Sequence, residues 1–99
     1  MIINGKKYDT ETAKELANDS FLYPGDFRYW SETLYQKRNG EYFLHGEGGP
    51  LSQYARFVGM TARTNGEKII PFTIEEAMQW AEKHLEGNEF EKIFGEVEE

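Results

Sequence analysis

The sequence predicts an α+β fold: a small antiparallel β-sheet of hairpins packed by a C-terminal amphipathic helix and short flanking helices. Three observations predict it. Asn4-Gly5 and Asn39-Gly40 each sit between short strand-like runs, and both residue types tolerate the positive φ that a tight hairpin turn requires. Ile74, Ala77, Met78, Ala81 and Leu85 recur at helical spacing and form one apolar stripe. Pro71 interrupts the strand-like run from Lys68 to Phe72, which places that run at a sheet edge, because proline has no N–H to give to a ladder.

Each element follows from local chemistry. Ile2-Ile3 and Lys6-Lys7-Tyr8 flank the first Asn-Gly turn. Asp9 or Thr10 can then accept from free backbone N–H groups and start a short helix through about Ala17, with Ala13, Leu16 and Ala17 on one face. Residues 18–29 hold Pro24-Gly25 among aromatics and read as a loop packed by its own rings. The runs 30–37 and 41–46 flank Asn39-Gly40. A two-residue turn there sets Arg38 opposite Glu41, Lys37 opposite Tyr42 and Tyr35 opposite Leu44. Trp30, Glu32, Leu34 and Gln36 then share one face, with Ser31, Thr33, Tyr35 and Lys37 on the other, and neither face is wholly apolar.

The glycine-rich run 46–50 ends this hairpin. Residues 51–58 suit a turn or two of helix, and 59–67 read as an irregular connection. The helix expected over 74–86 is the best-specified element. Thr73 and Glu76 form a capping box, Phe72 and Ala77 a hydrophobic staple, and Gly87 a stop. Asn88 and Glu91 repeat the cap pattern before Phe90, Ile93 and Phe94, and Gly95 ends that shorter turn. Trp80, Phe72, Phe43 and Phe94 are the expected core rings.

The 99 residues make one compact domain, 1–99, ending in a short acidic tail (96–99). With no cysteine there is no disulfide, thiol nucleophile or cysteine-ligated zinc. No apolar run approaches the roughly 18–20 residues of a membrane span, so the expectation is a soluble, cytoplasmic protein with no membrane partner. The net charge of -7 is unevenly divided. Residues 1–65 carry eight acids and eight bases, whereas 66–99 carry ten glutamates against three lysines. That balance argues against direct nucleic-acid binding, which needs a basic footprint.

Few residues suggest reaction chemistry. His45 and His84 have no metal-ligand spacing, no motif joins Ser52, His45 and Asp26, and Gly46 to Pro50 lacks the lysine and hydroxyl of a phosphate loop. The reading is therefore of a protein that is not an enzyme and holds no cofactor or metal. On a helix of 100° per residue, Glu75, Glu82 and Glu86 fall within about 40° of one another, spaced by roughly 10 Å and then 6 Å. Glu89, Glu91, Glu96, Glu98 and Glu99 thicken this face. Duplex DNA carries a charge every 1.7 Å or so, which makes the face a sparse mimic. Tyr35 and Tyr42, with Tyr29, are expected at the surface, where tyrosine supplies rigid anchoring area. Lys6-Lys7 and Lys37-Arg38 lie at the hairpin tips, with Arg28 joining them, and give the molecule a basic end. The plainer account of both features is a solvated acidic helix and solubilising turn lysines.

The segments ETLYQKRNGEYFLHGEGGP, IIPFTIEEAMQWAEKHL and FEKIFGEVEE, with the opening INGKKYDTETA, resemble a group of short proteins of bacterial mobile elements and prophages. The likeness spans nearly the whole chain. It implies an anti-CRISPR or other anti-defence protein, acting stoichiometrically by covering a nuclease's nucleic-acid or PAM-reading surface. The expected function is thus a protein-binding inhibitor. Glu75, Glu82, Glu86, Glu89 and Glu91 would meet a basic nucleic-acid-binding groove on a host protein, a CRISPR effector nuclease, with Tyr35 and Tyr42 as anchors. The alternative is a mobile-element accessory or regulatory domain that binds RNA or protein through Lys37 and Arg38.

Overall fold

A computed structural model describes residues 1–96. The expected tail residues 97–99 lie outside the described residues. The elements run β1 (Ile2–Ile3), β2 (Lys6–Lys7), β3 (Lys14–Phe21), β4 (Trp30–Gln36), β5 (Tyr42–Gly48), β6 (Arg56–Val58), β7 (Ala62–Thr64), β8 (Gly66–Phe72), α1 (Ile74–His84) and α2 (Gly87–Phe94). The α+β fold is as expected. A four-stranded antiparallel sheet in the order β3-β4-β5-β8 forms its body, with β1-β2 and β6-β7 as separate hairpins. β8 is an edge strand and holds Pro71 opposite Phe43.

The sheet is covered on both faces. On one, Leu34 and Leu44 pack against Ala77, Trp80 and Ala81 of α1 and Phe90 of α2, with Phe72 and Phe94 against the same cluster. On the other, Tyr8 meets Phe43 edge-on at 5.5 Å and Tyr35 stacks on Phe43 at 5.1 Å. Phe43 is fully buried between them and the strands. Among the described residues no helix is long and apolar enough to cross a membrane.

Four local expectations are corrected. The helix expected over 9–17 is instead a turn followed by a strand. Asp9 does accept the Glu11 N–H at 2.8 Å, and the Ala13 N–H bonds the Asp9 carbonyl at 3.0 Å, but the turn does not propagate. A nine-residue helix is marginal on its own, and pairing with β4 outweighs it. A bulge between Glu15 and Ala17 lets both Leu16 and Ala17 reach the core, which imitates a helical apolar face in the sequence. The strand runs on to Phe21, so the loop spans only 22–29, and its Tyr23 and Phe27 rings are exposed rather than packed.

The β4–β5 turn has three residues, not two. Lys37 N–H bonds the Glu41 carbonyl at 2.8 Å, and Gly40, at φ 93°, supplies the left-handed residue of a bulged turn. The register therefore slips by one: Tyr35 faces Phe43, Gln36 faces Tyr42 and Leu34 faces Leu44. In this register both leucines land on the helical side. The Asn4-Gly5 turn, with φ 51° and 76°, is tight as expected.

Residues 51–55 form turns rather than helix, and 56–64 form the β6-β7 hairpin rather than an irregular connection. Finally, α1 stops at His84. Leu85 is extended, and Gly87 opens α2 instead of ending α1. The Thr73–Glu76 capping box is present in both directions, whereas α2 is capped by Glu86 without a side-chain bond, not by Asn88. The break at Leu85 turns α2 back so that Phe90 and Phe94 return to the sheet.

Candidate functional site

The helical carboxylates lie where a partner can reach them. Glu75 and Glu82 face away from Ala77, Trp80 and Ala81, and both are exposed. The end of α1 at His84 takes Glu86 off the α1 stripe and makes it the N-cap of α2, from which Glu89 and Glu91 follow, all exposed. Among the described residues none of these five carboxylates lies within ion-pair distance of a cation. The helical layer from 73 to 96 carries seven glutamates and two lysines. Its outer surface carries a net negative charge.

The tyrosines and hairpin cations are arranged differently from expectation. Tyr35 and Tyr42 are half-buried on opposite faces of the sheet, Tyr35 against Phe43 and Tyr42 tilted over Phe94 at 6.0 Å. They cannot share one contact surface. Desolvation, with Glu15 and Glu47 adding, pushes the Tyr35 hydroxyl pKa upward. The two N-terminal hairpin tips do converge, but on an acid. Lys6 Nζ and Lys37 Nζ reach Glu41 at 2.8 and 3.1 Å, and these cations with the Asn39 amide hold the Glu41 carboxyl down at about 2. Lys37 also lies over the Tyr8 ring at 4.3 Å. Arg38 is exposed beside them, while Arg28 sits at the other end of the sheet, paired with Asp26 at 3.3 Å. Of the four cations at the basic end expected from sequence, Lys6 and Lys37 share one carboxylate and Lys7 lies 3.8 Å from Asp9, so its charge is only partly offset.

One cluster escaped sequence reasoning. Glu32 occupies a core-facing position of β4 between Trp30 and Leu34 and is buried. Its Oε1 accepts from Trp80 Nε1 at 3.0 Å and faces His84 Nε2 at 3.5 Å, while its Oε2 accepts the Tyr54 hydroxyl. His84 Nδ1 reaches Asp19 at 2.7 Å, and its ring stacks on Trp80 at 4.7 Å. Burial and the Glu32 bond push the Tyr54 hydroxyl far up. The glycines of 46–48 exist for this junction. A Cβ at Gly46 would clash with the Tyr54 ring and hydroxyl, and one at Gly48 would strike Ser52. The signal available in sequence was a lone carboxylate on an otherwise apolar strand face, followed downstream by glycines at alternate positions.

An open groove of about 500 Å³ borders the junction, lined by Trp30, Glu32, Tyr54, Phe72, Trp80 and His84 among others. Both Glu32 oxygens are already engaged, so the junction ties α1 to the sheet. The Ser52 hydroxyl donates to the Gly49 carbonyl at 2.8 Å and accepts the Tyr54 N–H at 3.2 Å. Ser52 packs on the helical side of the sheet at Gly48, whereas His45 stands at an odd position of β5 on the opposite side and meets Glu67. Ser52, His45 and Asp26 are not brought together. Among the described residues no three acidic or histidine side chains form a cation-binding group.

No protein family, curated protein or solved structure matches the chain.

Proposed function

We propose that this protein is a non-enzymatic, protein-binding inhibitor acting in the cytoplasm, and that its α1–α2 layer occupies the basic nucleic-acid-binding groove of a host protein, with a CRISPR effector nuclease as the target class. The observation that carries the reading is the run of exposed glutamates at 75, 82, 86, 89 and 91, none of them within 4.0 Å of a cation. Carboxylates left unpaired on a folded surface cost little there and are available to a cationic partner, which they steer electrostatically. Their spacing is sparse beside duplex DNA, so the contact is mixed rather than a full imitation of a phosphate backbone. The sharing of Glu41 by Lys6 and Lys37 lowers the support for a contact led by the hairpin tips.

The test is a charge reversal, Glu75→Lys with Glu82→Lys and Glu86→Lys, measured against purified effector complexes with guide RNA. The reversal is expected to leave folding intact, since no intramolecular ion pair is lost, and to abolish a binding that weakens steeply with salt. Affinity unchanged by the triple reversal, or independent of ionic strength, overturns the reading. If instead Lys37→Ser with Arg38→Ser abolishes binding while the glutamate reversal is silent, the contact belongs to the hairpin tips.

A further inference from the structure

Asparagine followed by glycine occurs three times in the chain, at 4–5, 39–40 and 65–66. The pair is chemically self-reactive. Glycine has no Cβ to hinder its backbone nitrogen, which can turn back and attack the carboxamide carbon of the asparagine before it. Ring closure needs a glycine N–H free to give up its proton. It also needs a main chain able to rotate about the asparagine, so that the nitrogen meets Cγ. Asn4, Asn39 and Asn65 are all exposed, so solvent access does not rank them. Hydrogen bonding and the cost of opening each turn do.

Asn39-Gly40 is held shut. The Gly40 N–H bonds the Lys37 carbonyl at 2.9 Å. The Asn39 carboxamide donates to Glu41 Oε1 at 2.8 Å and accepts the Glu41 N–H at 3.0 Å. This turn joins β4 to β5, which share seven residue pairs in the middle of the four-stranded sheet. Asn65-Gly66 is fixed differently. Gly66 pairs with Gly48 at the end of the β5-β8 ladder, and a Cβ on it would lie 2.0 Å from the Tyr54 carbonyl oxygen. Asn4-Gly5 has neither restraint. Among the described residues the Asn4 carboxamide and the Gly5 N–H make no hydrogen bond. The hairpin around them is two residue pairs outside the main sheet, extended by the Tyr8 N–H on the Met1 carbonyl at 2.8 Å. One exposed ion pair, Lys6 with Glu41, ties its second strand to the next turn, and such pairs hold weakly. So short a two-stranded ribbon is marginal by itself and opens at little cost.

We infer that Asn4 is the site at which this protein modifies itself, the Gly5 nitrogen displacing the Asn4 side-chain amide. The bond from the Gly5 nitrogen to Cγ forms as the N–H proton passes to solvent base. The Cγ–Nδ2 bond breaks, and the amide nitrogen leaves as ammonia. Water then opens the cyclic imide at either carbonyl. Addition at the side-chain carbonyl leaves aspartate at position 4, and addition at the main-chain carbonyl routes the backbone through the side chain as isoaspartate. Nothing is oxidised or reduced: amide and water become carboxylate and ammonium. Either product adds a negative charge to the turn just before Lys6 and Lys7. Isoaspartate also lengthens the main chain by one carbon, which the pairing of Ile3 with Lys6 across a two-residue turn does not accommodate. The β1-β2 hairpin is therefore the element that yields, and α1 and α2 are unchanged.

Ageing the full chain in warm, mildly alkaline buffer tests this, with each Asn-Gly peptide followed by mass spectrometry that separates aspartate from isoaspartate. In the folded protein Asn4 is expected to convert about tenfold or more faster than Asn39 or Asn65, because only its turn opens cheaply. In strong urea, where no turn is held, the three are expected to convert at similar rates. On isoelectric focusing the main acidic species that grows in with age is expected to be missing from Asn4→Gln protein. Asn39 or Asn65 converting as fast as Asn4 in the folded chain, no conversion at Asn4, or an acidic species that persists in Asn4→Gln overturns the inference. So does a ranking that survives in urea, which would place its cause in the neighbouring residues and not in the fold.

Discussion

Gly46 is where one methyl group would strike the buried junction directly. It lies in β5 against the Tyr54 ring, and a Cβ built there clashes with that ring and its hydroxyl. The backbone of Gly46 is not in the left-handed region, so alanine is conformationally acceptable and Tyr54 alone forbids it. The ring cannot lift away freely, since its hydroxyl is held by Glu32. Displacing it forfeits a hydrogen bond to a charged group, about 1.5–3 kcal/mol. It also uncovers a ring whose residue is 8% exposed, another 1.5–3 kcal/mol or so. The sum, about 3–6 kcal/mol, is a large share of the stability of a small domain and lowers its melting temperature by roughly 15–30 °C or more.

Urea unfolding followed by tryptophan fluorescence reads this directly, because Trp80 sits in the junction. The decisive form is a double-mutant cycle. Tyr54→Ala alone costs a similar amount, and Gly46→Ala added to it should cost less than about 1 kcal/mol, because the obstacle is gone; the coupling is then about 2 kcal/mol or more. Additive costs, or a Gly46→Ala penalty below about 1 kcal/mol, would refute the idea that Tyr54 and Glu32 dictate the glycine.

Two further outcomes are expected. Glu41 is held at about 2 in the folded chain against an ordinary 4.5, so the unfolded state binds its proton first as pH falls. Its stabilising contribution is complete above about 4.5 and disappears as pH falls toward 2; thermal melts across that window should show a shallower acid limb for Glu41→Gln than for the wild type. Thr73→Ala removes the hydroxyl that accepts the Glu76 N–H at 3.1 Å and should cost about 1 kcal/mol, a fall of some 4–8 °C, with Thr73→Ser restoring most of it.

What the sequence made legible was local and chemically explicit. The Asn4-Gly5 turn, the capping box at Thr73 and Glu76 and the edge position of Pro71 each depend on residues close together in the chain, and each is found in the fold; of the expected apolar stripe Ala77, Met78 and Ala81 face the core on α1, whereas Ile74 is half exposed and Leu85 lies beyond the helix end. Residues 9–17 misled because a cap and three small apolar residues describe a helix start and a bulged strand equally well; only pairing with β4, distant in sequence, decides between them. The one-residue slip at Gly40 has the same character: the turn is compatible with two loop lengths, and the preference for Leu34 beside Leu44 selects the longer one. The acidity of the helical layer was legible because its glutamates lie in one stretch of sequence, although the break at Leu85 divides them between α1 and α2. Glu32 was not, because its partners Tyr54, Trp80, His84 and, through His84, Asp19 come from three separate segments.

The buried junction and the exposed carboxylates act on the same helix from opposite sides. α1 is fixed at its start by the reciprocal Thr73–Glu76 bonds and toward its end by Trp80 on Glu32 and His84 on Asp19. A helix fastened at both ends presents Glu75 and Glu82 in a set geometry, so a cationic partner does not have to order the backbone on binding, and the entropy that would oppose association is already spent in folding. α2 lacks a side-chain cap and is held chiefly by Phe90 and Phe94. Glu89 and Glu91 therefore ride on a less constrained support. The rigidity that makes α1 the stronger half of the acidic layer comes from a largely buried carboxylate: Glu32 serves the proposed surface by holding it still.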